Sequence, residues 1–272
     1  MEQHRKIIID SREVHYRDEG KEYQETLVLL HGFLQNLDVW TPYTLHLMKE
    51  MRVITIDLPG HGYTQNFSDV HSMDFMAKVV KSVLQELGVS KCVMVGHSMG
   101  GYVALAFAEL FPYTLSGLGL LHSHAMADTE SKKKERMAVC QEVNHNRPGY
   151  IVRFIPSLFD DSRRMGLAQD IKDLQEQCLE TSEQSITAAQ KGMMMRPSRI
   201  NVLSRLDIPV FSVFGKNDPR LPVELAVSQA MEPKRSEILL LDKVAHMSFI
   251  EEAEFVRQRL VNFVHTCYTQ HR

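Results

Sequence analysis

The chain has 272 residues, 44% of them hydrophobic, and a formal net charge of −3. A chain of this length buries roughly three quarters of its unfolded surface, so it needs neither a disulfide nor a structural metal to fold. The nearly balanced charge and the lack of a long basic stretch argue against nucleic acid as a partner.

The first ninety residues alternate between strand-like and helix-like segments. Four segments have the composition of strands: 6–9 and 13–17, which predict a hairpin, and the apolar runs 25–30 and 52–56. Two segments predict helices: 38–49 and 73–87. Asp38 is placed to cap the first helix, and Gly88 ends the second.

The stretch from residue 92 to residue 111 holds the most informative motif. A strand-like run ends in Gly-His-Ser-Met-Gly at residues 96–100 and continues as an apolar helix. This order is typical of the Gly-x-Ser-x-Gly nucleophile elbow, which holds Ser98 in a strained turn at the end of a strand. Side chains at Gly96 and Gly100 would collide with the crossing backbone. The alternative is a glycine-rich turn that only joins a strand to a helix.

The second half of the chain changes character after another predicted strand at 115–121. No strand-like run occurs from about residue 124 to residue 200, and the segments there predict helices: 129–145, 150–158, 163–179 and 182–195. Strands resume at 210–214 and 237–241, with helices near 223–231 and 251–265.

The alternation of strands and helices predicts an α/β fold with a mostly parallel sheet flanked by helices. We expect residues 1–123 and 201–272 to form the core domain. Residues 124–200 are then a helical cap, or lid, inserted into it.

Two further side chains can activate the serine. A serine hydroxyl is a poor nucleophile near neutral pH and needs a base that a carboxylate orients. Asp218 follows the predicted strand 210–214, and His246 follows the strand 237–241. With Ser98, they come in the chain order expected of enzymes with a nucleophile elbow. All three lie at the carboxyl ends of predicted parallel strands, where open α/β sheets bind ligands.

At this point the chain resembles, over essentially its whole length, the α/β-hydrolase-fold serine hydrolases with a helical cap, an esterase-like family. The motifs that carry the resemblance are His-Gly-Phe at 31–33, Asp-Leu-Pro-Gly-His-Gly at 57–62, the elbow at 96–100, and Gly215 with Asp218 and His246.

The resemblance implies a role for each of these residues. Ser98 would be the nucleophile, His246 the general base and acid, and Asp218 the orienting carboxylate. The backbone amides of Phe33 and Met99 would form the oxyanion hole, with no metal and no cofactor. The other usual position of the acid, after the strand 115–121, offers no Asp or Glu before residue 128.

Other polar residues near these motifs have less certain roles. In this family the turn that contains Asp57 and His61 is usually structural, and His31 more often supports the oxyanion loop than transfers protons. Asp242 is expected to be a turn residue. The residues expected near the substrate are His31, Leu34, His97, Ser123, His124 and Met194.

Two features allow two interpretations each. The stretch 122–124, His-Ser-His, is either a polar hinge into the lid or a pocket-lining pair that binds a substrate oxygen. The methionines at 193–195, with Arg196 and Arg199, are either ordinary helix packing or an adaptable apolar wall beside a cation. The second interpretation suits a substrate with an acidic group.

The predicted reaction is hydrolysis of a small ester or thioester through an acyl-enzyme on Ser98. A serine at the elbow excludes dehalogenase and epoxide-hydrolase chemistry, which resembles this family but places aspartate there. C–C bond hydrolases, lyases, acyltransferases, peptidases and perhydrolases stay open, because fold does not fix chemistry. A ligand receptor that signals through lid movement is the alternative from another class.

The cellular location and the partners of the protein are predicted from the features that the sequence lacks. The four cysteines show no metal-ligand spacing and are expected to be reduced thiols. The apolar run near the N-terminus is too short for a signal peptide, and no run approaches membrane-spanning length. We therefore expect a cytoplasmic protein whose partner is a small-molecule acyl substrate, with no membrane or nucleic-acid partner. The sequence does not predict an oligomeric state.

Overall fold

The computed structural model describes residues 4–269 and is built around one sheet. Its strands are β1 (Arg5–Ile9), β2 (Arg12–Glu19), β3 (Thr26–Leu30), β4 (Arg52–Ile56), β5 (Cys92–His97), β6 (Leu115–Leu121), β7 (Val210–Gly215) and β8 (Ser236–Leu241). They lie in the order β1-β2-β4-β3-β5-β6-β7-β8. The pairs β1–β2 and β2–β4 are antiparallel, and every other pair is parallel. The predicted α/β class with a mostly parallel sheet is confirmed.

Helices connect the strands of this sheet and flank it. They are α1 (Thr41–Leu47), α2 (Met73–Glu86), α3 (Met99–Leu110), α4 (Glu130–Phe154), α5 (Ala168–Leu179), α6 (Glu183–Met194), α7 (Ile200–Arg205), α8 (Val223–Ala230), α9 (Ser248–Glu251) and α10 (Ala253–Thr269). The central strands β3, β5, β6 and β7 are buried along their whole length, as expected of parallel strands covered on both faces.

The helix predicted at 38–49 is divided, and the prediction that Asp38 caps it is wrong. A short 3-10 helix, Leu37–Trp40, precedes α1, and the side chain of Asn36 caps it by accepting from the backbone N–H of Asp38. Pro42 stands at the start of α1, where its fixed φ suits the first turn. The carboxylate of Asp38 instead pairs with Arg17 at 2.5 Å.

The described segment between β6 and β7 is helical, as the sequence predicted, but its boundaries differ. The two helices predicted at 129–145 and 150–158 are joined in α4, which bends at Asn146 (φ −151°, ψ 70°) just before Pro148. The helix predicted from residue 163 begins at Ala168, and the sequence did not predict α7. Helices α5 and α6 both pack on α4. The division into a core (1–123 and 201–272) and a cap (124–200) stays a prediction.

Two smaller expectations concern thiols and membranes. All four cysteines, Cys92, Cys140, Cys178 and Cys267, are buried free thiols. Among residues 4–269, none of the helices combines the length and the apolar character that crossing a bilayer requires.

Candidate active site

Ser98 occupies a strained turn between β5 and α3. Its backbone has φ 50° and ψ −112°, a conformation that costs a non-glycine residue about 1–3 kcal/mol. A Cβ on Gly96 would collide with the backbone of Gly100, and a Cβ on Gly100 would collide with the carbonyl of Leu30. The local geometry is therefore that of a nucleophile elbow, with the steric cause that the sequence indicated.

The imidazole of His246 is oriented by the carboxylate of Asp218. Nδ1 of His246 lies 2.8 Å from Oδ2 of Asp218, so it donates its hydrogen to that oxygen. The other carboxylate oxygen, Oδ1, accepts from the backbone N–H of Arg220 at 2.8 Å and of Leu221 at 3.2 Å. The turn after β7 thus holds one side of the carboxylate, and the histidine after β8 is bonded to the other.

A second imidazole, that of His122, contacts the same carboxylate oxygen. Its Nδ1 lies 2.9 Å from Oδ2 of Asp218, and its Nε2 accepts from the backbone N–H of Ser248 at 3.2 Å. Burial alone would raise the pKa of Asp218, but the charge of His246 and the hydrogen bonds from both imidazoles hold it well below its usual range. Sequence reasoning left His122 either in a polar hinge or in a pocket-lining pair, and it missed this contact. Its position directly after β6, the other usual place for the acid, was the available signal.

Ser98 and His246 line one cavity. Its other lining residues are Phe33, Tyr102, His122, His124, Lys132, Glu135, Arg136, Val139, Tyr150, Phe154, Gln190, Met193, Arg220 and Leu221. The rings of Phe33 and Phe154 meet edge to face at 5.9 Å and supply much of its apolar wall. Within the described chain, no hydrogen bond joins Ser98 Oγ to His246 Nε2. Catalytic hydrogen bonds in ligand-free enzymes often tighten only when substrate is bound.

The two amides expected to form the oxyanion hole have no other use. The backbone N–H groups of Phe33 and Met99 donate to no described residue. The N–H of Met99 is also the first of helix α3, whose N-terminal end favours negative charge. The loop that carries Phe33 is held by Gln35, whose Oε1 accepts from the N–H of Gly32 at 2.8 Å.

His31 links the loop that carries Phe33 to the loop after β4. Its Nδ1 donates to the carbonyl of Gly32 at 2.8 Å, and its Nε2 accepts from the N–H of Leu58 at 2.9 Å. Burial lowers the pKa of His31 to about 4, so it is neutral near neutral pH. Both ring nitrogens are occupied, which leaves His31 no atom for a substrate.

Of the six residues expected near the substrate, only His124 lines the cavity in the described structure. His97 lies between Gln35 and the backbone carbonyl of His246, at 3.0 and 2.9 Å. Ser123 is buried and donates to the carbonyl of Ser98 at 2.8 Å. His97 and Ser123 therefore contact the backbone of His246 and Ser98 and not the cavity.

Leu34 and Met194 also lie away from the cavity lining. Leu34 is buried in the core with a positive φ of 69°. On helix α6 it is Met193, one residue earlier, that faces the cavity. A one-residue step turns a helix by about 100°, so the neighbouring methionine points elsewhere.

His124 itself has an unused hydrogen-bond donor. Its Nε2 lies 3.3 Å from Nη2 of Arg196, so Nε2 is the acceptor and Nδ1 carries the hydrogen. Nδ1 is buried and has no hydrogen-bond partner among the described residues. Burial and the nearby guanidinium of Arg196 lower the pKa of His124 to about 3.

The arginines that line the cavity are not the two that the sequence suggested, Arg196 and Arg199. Arg199 pairs with Asp74 and Glu109 and is not among the lining residues. Arg196 lies behind the cavity wall, with its guanidinium 4.0 Å from the ring centroid of Tyr102. The arginine between β6 and β7 that lines the cavity is Arg136, which shares the carboxylate of Asp128 with Arg196.

The other polar residues considered in the sequence, Asp57, His61 and Asp242, bond the backbone or are exposed. The carboxylate of Asp57 accepts from the backbone N–H groups of Leu37 at 2.7 Å and Tyr63 at 3.0 Å. Nδ1 of His61 bonds the carbonyl of Pro59. Asp242 is exposed and pairs with Lys216 at 2.6 Å.

His122, Asp218 and His246 are also close enough together to suggest a metal site, since one ligand-type atom from each lies within 4.8 Å of the others. Both Nδ1 atoms, however, lie within 2.9 Å of one carboxylate oxygen, and such contacts require a hydrogen on each nitrogen. A nitrogen that binds a metal must be free of that hydrogen. The arrangement is therefore that of hydrogen bonding to a shared acceptor.

Comparisons with known proteins agree with the fold. A family model described as alpha/beta hydrolase fold matches residues 25–139. A thermophilic esterase from Thermogutta terrifontis, solved with malate bound, is 29% identical with a TM-score of 0.91, covering 97% of this chain and 99% of that one.

Two curated relatives have other activities in their names. The dihydrolipoyllysine-residue acetyltransferase component of the acetoin cleaving system of Pseudomonas putida is 28% identical, over 95% of this chain and 68% of the relative. A 2-hydroxy-6-oxononadienedioate/2-hydroxy-6-oxononatrienedioate hydrolase of Paraburkholderia phymatum is 24% identical, over 92% of this chain and 90% of the relative.

Proposed function

The chain is an α/β-hydrolase-fold enzyme, and on that premise we propose that it cleaves a small ester or thioester through an acyl-enzyme intermediate on Ser98. The observation that carries the proposal is the convergence on one cavity of Ser98 in its strained turn and of His246 bonded to Asp218. The free amides of Phe33 and Met99 support it.

The proposed reaction has two halves. His246 Nε2 removes the proton of Ser98 as Oγ attacks the substrate carbonyl, and the amides of Phe33 and Met99 stabilise the oxyanion. The imidazolium then protonates the departing alkoxide or thiolate, which leaves the acyl group on Oγ. In the second half, His246 takes a proton from water, the hydroxide attacks the acyl-enzyme, and Ser98 recovers its proton as the acid is released.

The alternatives on the same fold are C–C bond hydrolysis, lyase chemistry and acyl transfer. The relative from Paraburkholderia phymatum is named as a hydrolase of an oxo-dienedioate, and the relative from Pseudomonas putida is named as an acetyltransferase component. The esterase from Thermogutta terrifontis is the most identical of these three, which favours ester hydrolysis. A receptor role is less well supported, because a binding protein has no need of a strained serine.

The charges at the cavity favour a substrate that carries an acidic group. Asp128 is the one carboxylate paired with both Arg136 and Arg196, so this buried cluster of described residues has an excess positive charge. Arg220 also lines the cavity, stacked 4.7 Å from the ring centroid of Phe154, and within residues 4–269 it pairs with no carboxylate. An uncompensated cation near an apolar wall is stabilised by an anionic ligand group.

Substitution of the nucleophile tests the reaction. With p-nitrophenyl esters of graded chain length, Ser98→Ala should lose about 10⁴-fold or more in turnover and keep its circular dichroism spectrum. Ser90→Ala, at an exposed position, is the matched control and should behave as wild type. A fluorophosphonate should label the wild-type protein at Ser98 only. Wild-type activity in the Ser98→Ala protein would show that the nucleophile is wrong, and an inert wild-type serine would favour the receptor.

A matched pair of substrates tests the preference for an acidic group. The p-nitrophenyl monoester of glutaric acid and p-nitrophenyl pentanoate have the same acyl length and differ in the terminal carboxylate. The charged ester should have the higher kcat/KM, and the advantage should shrink in Arg220→Gln and with added salt. Equal kcat/KM for the two esters in the wild-type enzyme would contradict the preference and leave the ester hydrolysis intact.

A further inference from the structure

We infer that His122 is a positioning residue of this site, a second imidazole that holds Asp218 in the orientation His246 needs. The inference rests on the proposed function, because it assigns His122 a part in the work of the proposed triad. It goes beyond that function, since Ser98, His246 and Asp218 suffice for the reaction. The bond from His122 to Asp218 adds a fourth residue, with its own effect on rate and pH dependence.

The carboxylate of Asp218 is held on both of its oxygens. Oδ1 accepts from the two backbone amides of the turn after β7, and Oδ2 accepts from His246 at 2.8 Å and from His122 at 2.9 Å. The two imidazole rings are 5.4 Å apart between centroids and inclined at 55°. Because four donors bond the carboxylate, its rotation is restricted. Removing His122 would leave one lone pair of Oδ2 without a partner.

The hydrogen-bond pattern distinguishes the roles of the two histidines. Nε2 of His122 accepts from the backbone N–H of Ser248 at 3.2 Å, so its hydrogen must be on Nδ1, facing Asp218. A proton on Nε2 would oppose the N–H of Ser248, so His122 serves as a neutral donor. His246 Nε2 has no partner in the described structure and lies in the cavity with Ser98. His122 therefore cannot replace His246 as the base.

The backbone at His122 indicates that this position is strongly held. Its φ is 51°, in the left-handed region that non-glycine residues seldom adopt, and its N–H donates to the carbonyl of Val213 at 2.9 Å. Such strain persists only where surrounding contacts compensate for it. The contacts with Asp218 and Ser248 are of that kind, and the side chain of His122 is wholly buried.

The second donor also affects how strongly Asp218 acts on His246. Two hydrogen bonds to one oxygen share its negative charge, so each is weaker than a single bond would be. The titratable groups that face His122 are Asp218, His246 and, at 6.1 Å between ring centroids, His97. With His122 removed, the carboxylate would hold the ring of His246 less precisely in place, which lowers kcat, while its undivided charge would favour the imidazolium form of His246. The acid limb of the pH profile of kcat/KM would then move to higher pH.

Three substitutions separate the two contacts of His122. His122→Asn places an amide near the position of Nδ1, where it can still donate to Asp218. His122→Gln places its amide near Nε2, where it can accept from Ser248 but cannot reach Asp218. His122→Phe keeps a ring of similar size and removes both contacts. Titration of active sites with a fluorophosphonate counts the folded, competent enzyme in each preparation.

We expect His122→Phe and His122→Gln to lose roughly ten- to a hundredfold in kcat per active site, the effect of losing one charge-assisted hydrogen bond. KM should hardly change, and the acid limb of the kcat/KM profile should move up by about half a pH unit to one unit. His122→Asn should recover most of kcat and the original profile. If His122→Phe keeps the wild-type kcat and profile, or if all three variants lose stability with an unmoved profile, the inference is overturned.

Proton NMR separates this inference from the proposed reaction. In the wild-type protein, two downfield imidazole N–H resonances should be visible, one for each histidine bonded to Asp218. His122→Phe should remove one of them and shift the other further downfield, as the remaining bond strengthens. A wild-type protein that shows both resonances but cleaves no ester would contradict the reaction alone. A wild-type spectrum with only one such resonance would contradict the role of His122.

Discussion

Two clusters at the carboxyl edge of the sheet have the same composition and different chemistry. Each has one aspartate and two histidines: Asp57 with His31 and His61 in the first, and Asp218 with His122 and His246 in the second. The first follows β3 and β4, and the second follows β6, β7 and β8. Both are buried at the end of the sheet where ligands bind in folds of this kind.

In the first cluster, side chains bond only to the backbone. The carboxylate of Asp57 accepts from two backbone amides, and each histidine bonds backbone groups of the same loops. Neither histidine lies within hydrogen-bond distance of the carboxylate in the described structure. Burial raises the pKa of Asp57 to about 7, so a proton is held there far more readily than on an ordinary aspartate.

In the second cluster, side chains bond one another beside a cavity. Both imidazoles donate to Asp218, its pKa is held well below its usual range, and both line the cavity with Ser98. Residue type and position on the sheet are therefore not enough to identify a catalytic carboxylate. Its hydrogen-bond partners and their access to the cavity distinguish the two clusters.

The largest expected difference between the clusters is in turnover. Asp218→Asn should lower kcat by about 10⁴-fold, because the amide no longer holds His246 in the tautomer with Nδ1–H or stabilises its imidazolium form. The protein should still fold, which circular dichroism and thermal unfolding can check. Asp57→Asn is the matched control from the first cluster, and its kcat should stay within about threefold of wild type. Similar losses of kcat in the two variants would remove the distinction.

The next difference is in the pH dependence of stability. The pKa of Asp57 is about 7 in the folded protein and near 3.8 when unfolded, so the folded state keeps its proton over that interval. This group therefore stabilises the fold at pH values below about 4, and that contribution is lost as the pH rises toward 7. Asp57→Asn should remove this slope, which amounts to a few kcal/mol in the free energy of unfolding.

Urea unfolding of wild type and Asp57→Asn at several values between pH 4 and pH 7 measures this slope. Asp218 should act in the opposite sense, since its folded pKa is depressed. Its contribution is present above the unfolded pKa and lost as the pH falls toward the folded one. A wild-type and Asp57→Asn pair with parallel pH dependence would show that Asp57 is ionised in the folded state.

Much of the fold could be predicted, because the strands of a parallel sheet are apolar throughout. The strands predicted at 52–56 and 115–121 have the observed bounds, and the others agree to within about two residues. The elbow was predictable because its glycines have a steric cause that the sequence displays. The helices between β6 and β7 were less predictable, since their sequences are polar. The bend at Asn146, by contrast, has a local cause, because Pro148 lacks an N–H and the side chain of Asn146 accepts from the N–H of Gly149.

The contacts of the site were less predictable than its residues. His122 and Asp218 are 96 positions apart, and their contact arises because β6 and β7 are neighbours in the sheet. No local pattern carries that information. The choice of Met193 over Met194 at the cavity likewise depends on the rotation of α6, which a run of three methionines does not indicate.

The smallest expected effect is that of substituting His61, the histidine of the first cluster with the fewest hydrogen bonds. His61 donates from Nδ1 to the carbonyl of Pro59 at 3.1 Å, and its buried Nε2 has no partner within residues 4–269. Burial lowers its pKa well below the usual value, so it stays neutral and contributes no charge to the site. His61→Asn places an amide near the position of Nδ1, where it can still donate to Pro59, and should change the free energy of unfolding by at most about 2 kcal/mol. Its kcat/KM should equal that of wild type across pH, whereas His246→Gln should abolish turnover. A shifted pH profile in His61→Asn would show that the two clusters are coupled.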